Sequence, residues 1–428
     1  MESENILLTN QHILILLDDT KTTNNTSNDI IKHLKDHFCG TVLTNLNNNL
    51  NIFSDNKLVY IGGDIQQTYE LIKDKPHQTI FVIKDISTNY NQCDQYNHYT
   101  LTSLGKVPLN TYNNGVFFPR FFSELNYFKL LTNEHEFQSL TESNKPGSAL
   151  RKGIYLSKVE KSPPQSPPQS PPQSPLDVLR FQLLRCSSNL GGPTDNFRET
   201  DHNIIDQVNE TCRHFFEKET KLNHVLAQVY YNNSNGKAKI KTHSDKTKDM
   251  PREGLIAFCT FYDSYFDGQF HNEIKGVKKS KENPFDYCYN KTSVLTKLHF
   301  RLKNKVNDEK LIKEFSVTLY PNSLFVIPLS TNRLYTHEIR PSILPIDKIP
   351  TRLGYIIRCS KTKAIFSDKS TYIIDNTNGS YNKLEEMTEE DMVKIRNLYY
   401  KENVTDEIIH YENIYCSFNS GDYKKPNL

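Results

Sequence analysis

The sequence predicts an α+β protein: a small α/β unit at the N-terminus, then a larger β-rich core with flanking helices. Three observations lead there. The short apolar runs HILILLDD, KLVYIGGD and QTIFVIKDI alternate with helical stretches around DIIKHLKDHF and DIQQTYELIKD, the rhythm of a small parallel sheet. From VLAQVYY onward, period-two alternation broken by Gly, Pro and Asn turns takes over, as in antiparallel strands. Near the C-terminus, Thr388 followed by Asp391 forms a capping box, which predicts a helix through Tyr400 with Met392, Ile395, Leu398 and Tyr399 inward.

Taken in order, residues 1–100 form the α/β unit. Asp18 and Asp19 close its first strand, where a phospho-receiver would carry acidic residues, but no phosphoacceptor strand or Gly-rich phosphate loop accompanies them. An adaptor or targeting module that engages a protein partner is the expectation. The core spans 112–366. GVFFPRFFSELNYFKLLTNEHEFQSL and DVLRFQLLRC both belong to it, so the repeat SPPQSPPQSPPQSP between 161 and 175 reads as a loop insertion. That repeat is expected to be an extended polyproline-type or disordered spacer, a flexible lid on the substrate side or a second protein-docking segment. FSVTLYPNSLFVIPLSTNRLYTHEIRP reads as strand, turn, strand, polar turn, strand, suiting an antiparallel hairpin. The Lys- and Asn-rich stretch 268–310 reads as an insertion between core strands, and 367–428 as a helical tail packed on the core.

Composition narrows the function classes. With 52 basic and 50 acidic residues the net charge is +2, so no global field draws the chain to a polyanion. Only local clusters remain for that purpose: Lys237, Lys239, Lys241, Lys246 and Lys248, and Lys275, Lys278, Lys279 and Lys281. The eight cysteines are scattered without a C-x-x-C, as in reduced intracellular proteins. No apolar run approaches a membrane span and the N-terminus lacks a secretory pattern, so the cytoplasm or nucleus is the expected compartment.

The chemistry lies in four residues far apart in the chain: His243 and Asp245 in KTHSDKTKD, His337 in RLYTHEIRP, and Arg352 in TRLGYIIR. Residues i and i+2 at a strand end point the same way, so His243 and Asp245 share a face. Two imidazoles and a carboxylate occupy one face of an octahedral Fe(II), leaving the other for a chelating cosubstrate and O2. Arg352 and Arg358 share a strand face opposite Leu353, Tyr355 and Ile357, and a buried face with two arginines calls for an anion such as a dicarboxylate. His271-Asn272-Glu273 and His410-Tyr411-Glu412 repeat the i, i+2 spacing, but His271 lies in a polar loop without strand flanks.

With these motifs in hand, the chain resembles the AlkB-like Fe(II)/2-oxoglutarate dioxygenases. The likeness runs from GVFFPRFF at residue 115 through H-x-D and RLYTHEIRP to R-x-G-x-x-x-R, ending by residue 366. The resemblance implies a double-stranded β-helix, or jelly-roll, as the catalytic core. It makes His243, Asp245 and His337 the catalytic iron ligands, sets Arg352 on the distal carboxylate of 2-oxoglutarate, lets Arg358 close that pocket, and puts Gln228 and Tyr230 near the pair that steadies the cosubstrate. It also implies oxidative demethylation of N-alkylated bases in DNA or RNA, extruded or single-stranded, with formaldehyde released. Arg151 and Tyr155 fall where the family carries its substrate lid, and Lys246 flanks the metal strand, so these three are the expected substrate contacts. Gly354 departs from the family's polar residue between the arginines, and the gap from Asp245 to His337 is longer than the family core needs. A protein side-chain hydroxylase using the same iron is the alternative. A non-catalytic scaffold is a third reading, disfavoured by the intact ligand set.

Overall fold

The fold is α+β, with mostly antiparallel sheets and few helices. The computed structural model describes residues 4–9, 11–17, 25–44, 57–66, 79–90, 99–141, 148–161, 178–186, 190–234, 236–271, 274, 276–375, 378–411 and 414–428. Asp18 and Asp19, the DIQQTYELIKD stretch beyond Gln66 and the Pro-rich repeat therefore lie outside the described residues, as do the glutamates of the two alternative H-x-E pairs. Among the described residues, no helix is long and apolar enough to cross a membrane, and the cysteines are free thiols.

The three apolar runs near the N-terminus become strands of one parallel sheet. β1 (His12–Leu16), β2 (Thr41–Leu43), β3 (Leu58–Asp64), β4 (Ile80–Thr88) and β5 (Tyr99–Thr102) are ordered β2-β1-β3-β4-β5, with α1 (Asn25–His37) between β1 and β2. Every residue of β1 is buried, as continuous apolar strands in parallel sheets are.

Two mostly antiparallel sheets form the main core of the rest. The chain supplies β6 (Leu109–Asn110), β7 (Val116–Phe118), α2 (Tyr127–Glu134), β8 (Gln138–Thr141) and β9 (Ser148–Ser157). A hairpin of β10 (Glu160–Lys161) and β11 (Leu179–Leu183) follows, then β12 (Asp195–Asn196), α3 (Glu199–Phe215), β13 (His224–Tyr230), β14 (Ile240–His243) and β15 (Leu255–Tyr262). Next come the small strands β16 (Tyr265–Phe266), β17 (Gln269–Phe270), β18 (Lys278–Lys279), β19 (Tyr287–Tyr289) and β20 (Thr292–Ser293). After β21 (Lys297–Leu302), β22 (Glu314–Thr318) and β23 (Ser323–Pro328) comes the short helix α4 (Leu329–Leu334), then β24 (Tyr335–Arg340) and β25 (Arg352–Arg358). β26 (Thr362–Ser367), β27 (Ser370–Ile374), β28 (Tyr381–Lys383) and α5 (Glu389–Val404) follow. A five-stranded antiparallel sheet, β10-β11-β26-β27-β28, has a smaller core of its own.

The larger sheet has nine strands, ordered β12-β9-β13-β25-β15-β23-β7-β6 with β8 beside β9; the smaller has four, ordered β14-β24-β21-β22. They meet face to face through aromatic side chains. Phe325 stands 6.2 Å from Phe258 and 5.9 Å from Phe300, and Phe258 and Phe300 both reach His337, ring centroids 5.7 and 5.5 Å away. Burying each such ring stabilises by roughly 2–3 kcal/mol. The opposite face of the nine-stranded sheet is covered by α3, whose buried Ile204, Ile205, Val208, Cys212 and Phe215 recur at helical spacing.

β22, β23 and β24 do not form a hairpin: β23 joins the nine-stranded sheet while its neighbours join the four-stranded one, and α4 stands where a polar turn was expected. All six residues of β23 are buried, so it is satisfied only between β15 and β7, whereas the alternating β22 keeps one side for solvent. The stretch 268–310 is not wholly an insertion, because β21 within it pairs with β24. The stretch after 367 is not wholly helical either. Asp368 and Lys369, both at positive φ, make the two-residue turn of a β26–β27 hairpin, and β28 extends that sheet. The Pro-rich repeat lies between strands whose ends, Lys161 and Leu179, are paired.

Candidate metal centre

β14 ends at His243, and antiparallel pairing sets that residue directly opposite His337 on β24. The imidazole centroids are 4.5 Å apart. Asp245 follows two residues beyond the strand end, with Oδ1 3.8 Å from His243 Nε2 and 4.0 Å from His337 Nε2. One donor atom from each of the three lies within 4.8 Å of the others. These separations suit three ligands around one cation, since ligands about 2 Å from a metal stand roughly 3–4 Å from one another.

The electrostatics prepare the same three groups. Burial alone would raise the Asp245 carboxyl, but Arg358 foremost, with the two imidazoles, outweighs it and holds the pKa at about 2. Burial, reinforced by neighbouring His243, pushes His337 down to about 3. His243 is also lowered, chiefly by its enclosure in the site. The site therefore presents two neutral imidazoles and one carboxylate at neutral pH, the protonation states metal binding requires. Orientation is fixed too: the Nδ1–H of His243 donates to the Lys241 carbonyl at 2.8 Å, leaving the Nε2 lone pair toward Asp245. Arg358 donates to Asp245 Oδ2 from Nε at 2.9 Å and Nη2 at 2.8 Å, so Oδ1 is left facing the imidazoles.

The neighbouring strands carry the residues expected to hold a cosubstrate. Strand register sets Arg151 on β9, Tyr230 on β13 and Arg352 on β25 in one row, with Gly153, Gln228 and Gly354 in the next but one. Arg352 is 2% exposed and its guanidinium lies 4.1 Å from the Tyr230 ring centroid. The Tyr230 hydroxyl donates to Gln228 Oε1 at 2.8 Å. Arg352 Nε and Nη2 and Arg358 Nη1 are buried and find no hydrogen-bond partner among the described residues. Unpaired guanidinium donors are costly to bury, and a dicarboxylate supplies the acceptors they lack.

The expected substrate contacts are placed differently. Arg151 and Tyr155 sit on a central sheet strand rather than a lid: the alternation through residues 148–157 builds β9, paired with β13 and β8. Tyr155 is 2% exposed and its hydroxyl meets Cys186 Sγ at 3.2 Å, and Arg151 is buried as well. Lys246 turns to the C-terminal helix, its amine donating to the Tyr399 carbonyl at 3.1 Å. The basic cluster beside the metal strand shrinks accordingly. Lys237 bonds the Ser342 carbonyl and Lys248 is buried, leaving Lys239 and Lys241 exposed.

A second cluster, Glu134, His135 and Asp201, also brings three donors together. Its chemistry is different. His135 Nδ1 bonds Asp195 at 2.8 Å and Nε2 bonds Asp201 at 2.7 Å, so both ring nitrogens are engaged. Burial would lower this imidazole, but the two carboxylates outweigh it and raise it to about 9. A doubly donating imidazolium has no lone pair for a metal, and the group acts as an ion network between α2 and α3. Sequence reasoning missed this network, along with Asn332, Glu402 and Asn403 around the metal loop, because each partner is remote in the chain and no local spacing announces it.

No protein-family model matches the chain, and no curated protein matches it. Among solved structures, one titled "The structure of OsALKBH1" aligns with 57% of this chain and 96% of its own, at 13% sequence identity and a TM-score of 0.30.

Proposed function

We propose that this chain is an AlkB-like Fe(II)/2-oxoglutarate-dependent dioxygenase with a double-stranded β-helix core, and that it oxidatively demethylates N-alkylated bases in nucleic acid. The observation that carries the reading is the convergence of His243, Asp245 and His337, beside buried arginines with unpaired donors. Fe(II), bound together with 2-oxoglutarate and O2, supplies an oxidising centre that hydroxylates a C–H bond held next to it.

The chain's own residues do the positioning. His243 and His337 offer neutral nitrogen donors and Asp245 offers one oxygen, its other oxygen tied to Arg358. Arg352 presents Nε–H and Nη2–H to the distal carboxylate of the cosubstrate, and Tyr230 braces the guanidinium from its ring face. Phe258 and Phe300 pack on His337 and exclude water from that side. The base substrate follows the family resemblance, and exposed Lys239 and Lys241, on the strand that ends in His243 or beside it, offer charge to a phosphate backbone. Hydroxylation of an N-methyl group gives a hydroxymethyl adduct that collapses to formaldehyde and the unmodified base.

The test is purified protein with Fe(II), 2-oxoglutarate and N-methylated single-stranded oligonucleotides, scored for succinate and formaldehyde. Both products are expected, and His243→Ala should abolish them. Arg352→Leu should raise the KM for 2-oxoglutarate roughly ten- to a hundredfold, since charge-assisted hydrogen bonds are lost. Succinate without formaldehyde would move the substrate to another acceptor, such as a protein side chain. An iron-loaded chain that never consumes 2-oxoglutarate would sink the reading.

A further inference from the structure

Because β14 ends two residues before Asp245, the backbone that follows has no ladder, and each buried N–H there needs a partner. In the segment Ser244 to Thr247 those partners are side chains from elsewhere. The Ser244 N–H donates to Asn403 Oδ1 at 2.7 Å, the Asp245 N–H to Asn332 Oδ1 at 2.8 Å, and the Thr247 N–H to Glu402 Oε1 at 3.1 Å. Asn332 returns a bond from Nδ2 to the Asp245 carbonyl at 3.0 Å, and the Thr247 hydroxyl also donates to Glu402. Two of the three acceptors, Glu402 and Asn403, belong to the last turn of α5, more than 150 residues along the chain from the segment they hold.

That helix end is itself fixed. Buried Lys303 donates to the carbonyls of Arg333, Glu402 and Thr405 at 2.7, 2.7 and 3.2 Å, joining α4 to the end of α5. The Tyr411 hydroxyl donates to the second Glu402 oxygen at 2.6 Å, and Lys246 reaches the Tyr399 carbonyl. Asp245 thus has one oxygen on Arg358 and its backbone pinned on either side.

Resting on the iron reading above, we propose that the end of α5 is a working part of the metal centre: Asn403 and Glu402 are positioning residues that set the Asp245 loop for the metal. A tail that merely docked on the core would contribute stability and nothing else. A tail that positions a ligand tunes metal affinity and ligand geometry, as residues bonded to metal ligands do.

The test uses the full chain and Co(II) as a spectroscopic probe, without 2-oxoglutarate. Asn403→Ala is expected to weaken Co(II) binding roughly tenfold or more and to alter the visible absorption bands. Asn403→Asp keeps an acceptor for the Ser244 N–H and should restore most of the affinity. The amides of Ser244 and Thr247 should exchange slowly in the metal-free wild-type protein, a measurement that does not depend on any variant folding. Wild-type affinity and spectrum in Asn403→Ala, or rapid exchange at both amides, would overturn the proposal and leave the iron reading standing. A wild-type chain that takes up no Co(II) would overturn both.

Discussion

At the scale of single residues, Gly354 shows how a buried guanidinium is given room. A Cβ on it would stand 2.8 Å from Arg352 Nη1 and 3.3 Å from Tyr230 Cε2, so the guanidinium lies over the glycine with the tyrosine ring against it. On the oxygenase function proposed above, Gly354→Ala should displace Arg352 and raise the KM for 2-oxoglutarate by about tenfold, roughly one charge-assisted hydrogen bond. Co(II) affinity should stay unchanged, because Gly354 touches none of the three ligands; a loss of metal affinity would contradict this account. His135 makes a different prediction. Its folded pKa of about 9 lies above the ordinary 6.5, so its stabilising contribution is complete below about pH 6.5 and is lost as pH rises through 9. His135→Leu leaves Asp195 and Asp201 without their shared cation and should cost about 3–5 kcal/mol at pH 6, but clearly less at pH 10. Urea denaturation of both proteins at the two pH values measures the difference, and an equal cost at both would refute the assignment.

At the scale of elements, the start of α5 was readable from four letters and can be tested alone. Thr388 Oγ1 accepts the Asp391 N–H at 3.1 Å, and Asp391 accepts the Thr388 N–H at 3.2 Å. Thr388→Ala should cost about 1 kcal/mol in thermal or urea unfolding. It should leave Co(II) affinity intact, since the contacts to the metal loop come from the helix's other end. Local patterns of this kind carried the strands, the shared face of His243 and Asp245 and the arginine spacing, because side-chain alternation and turn residues act over a few positions. Strand partnership did not show. β22 and β23 look like a hairpin in sequence, yet their burial demands differ, and only the assembled sheets reveal that β23 needs neighbours on both sides. The same limit hid β9: Arg151 and Tyr155 read as part of a substrate lid, and the fold buries them in a sheet strand. It also hid β21, whose Phe300 is paired with His337. Acceptors such as Asn332 and Asn403 carry no pattern at all until the chain folds.

At the scale of the molecule, the N-terminal sheet shares its interior with the rest of the chain. Leu14, Leu34, Phe38 and Tyr60 belong to the same apolar cluster as Phe117, Phe118, Phe215 and Phe325. Backbone hydrogen bonds cross the junction from Leu8 to Phe215, Glu217 to Ile6 and Cys39 to Pro108, at 2.8, 3.0 and 3.0 Å. His12 bonds the His214 carbonyl at 2.8 Å with its ring 4.3 Å from Phe215, and Glu4 forms a two-pronged pair with Arg333 on α4. Sequence rhythm suggested a separable unit over 1–100, because a parallel sheet and an antiparallel core have different periodicities. Periodicity says nothing of whether two sheets bury one another's edges. A shared apolar interior makes unfolding cooperative, since neither part can open without exposing the other. Calorimetry of the whole chain should give one transition, with calorimetric and van't Hoff enthalpies in agreement. A chain beginning at residue 104 should aggregate or lose its near-ultraviolet dichroism, because Leu109, Phe117, Phe215 and Phe216 would lose their cover. Two resolved transitions, or a truncated chain that still binds Co(II) as tightly as the whole, would instead make the N-terminal sheet an independent module.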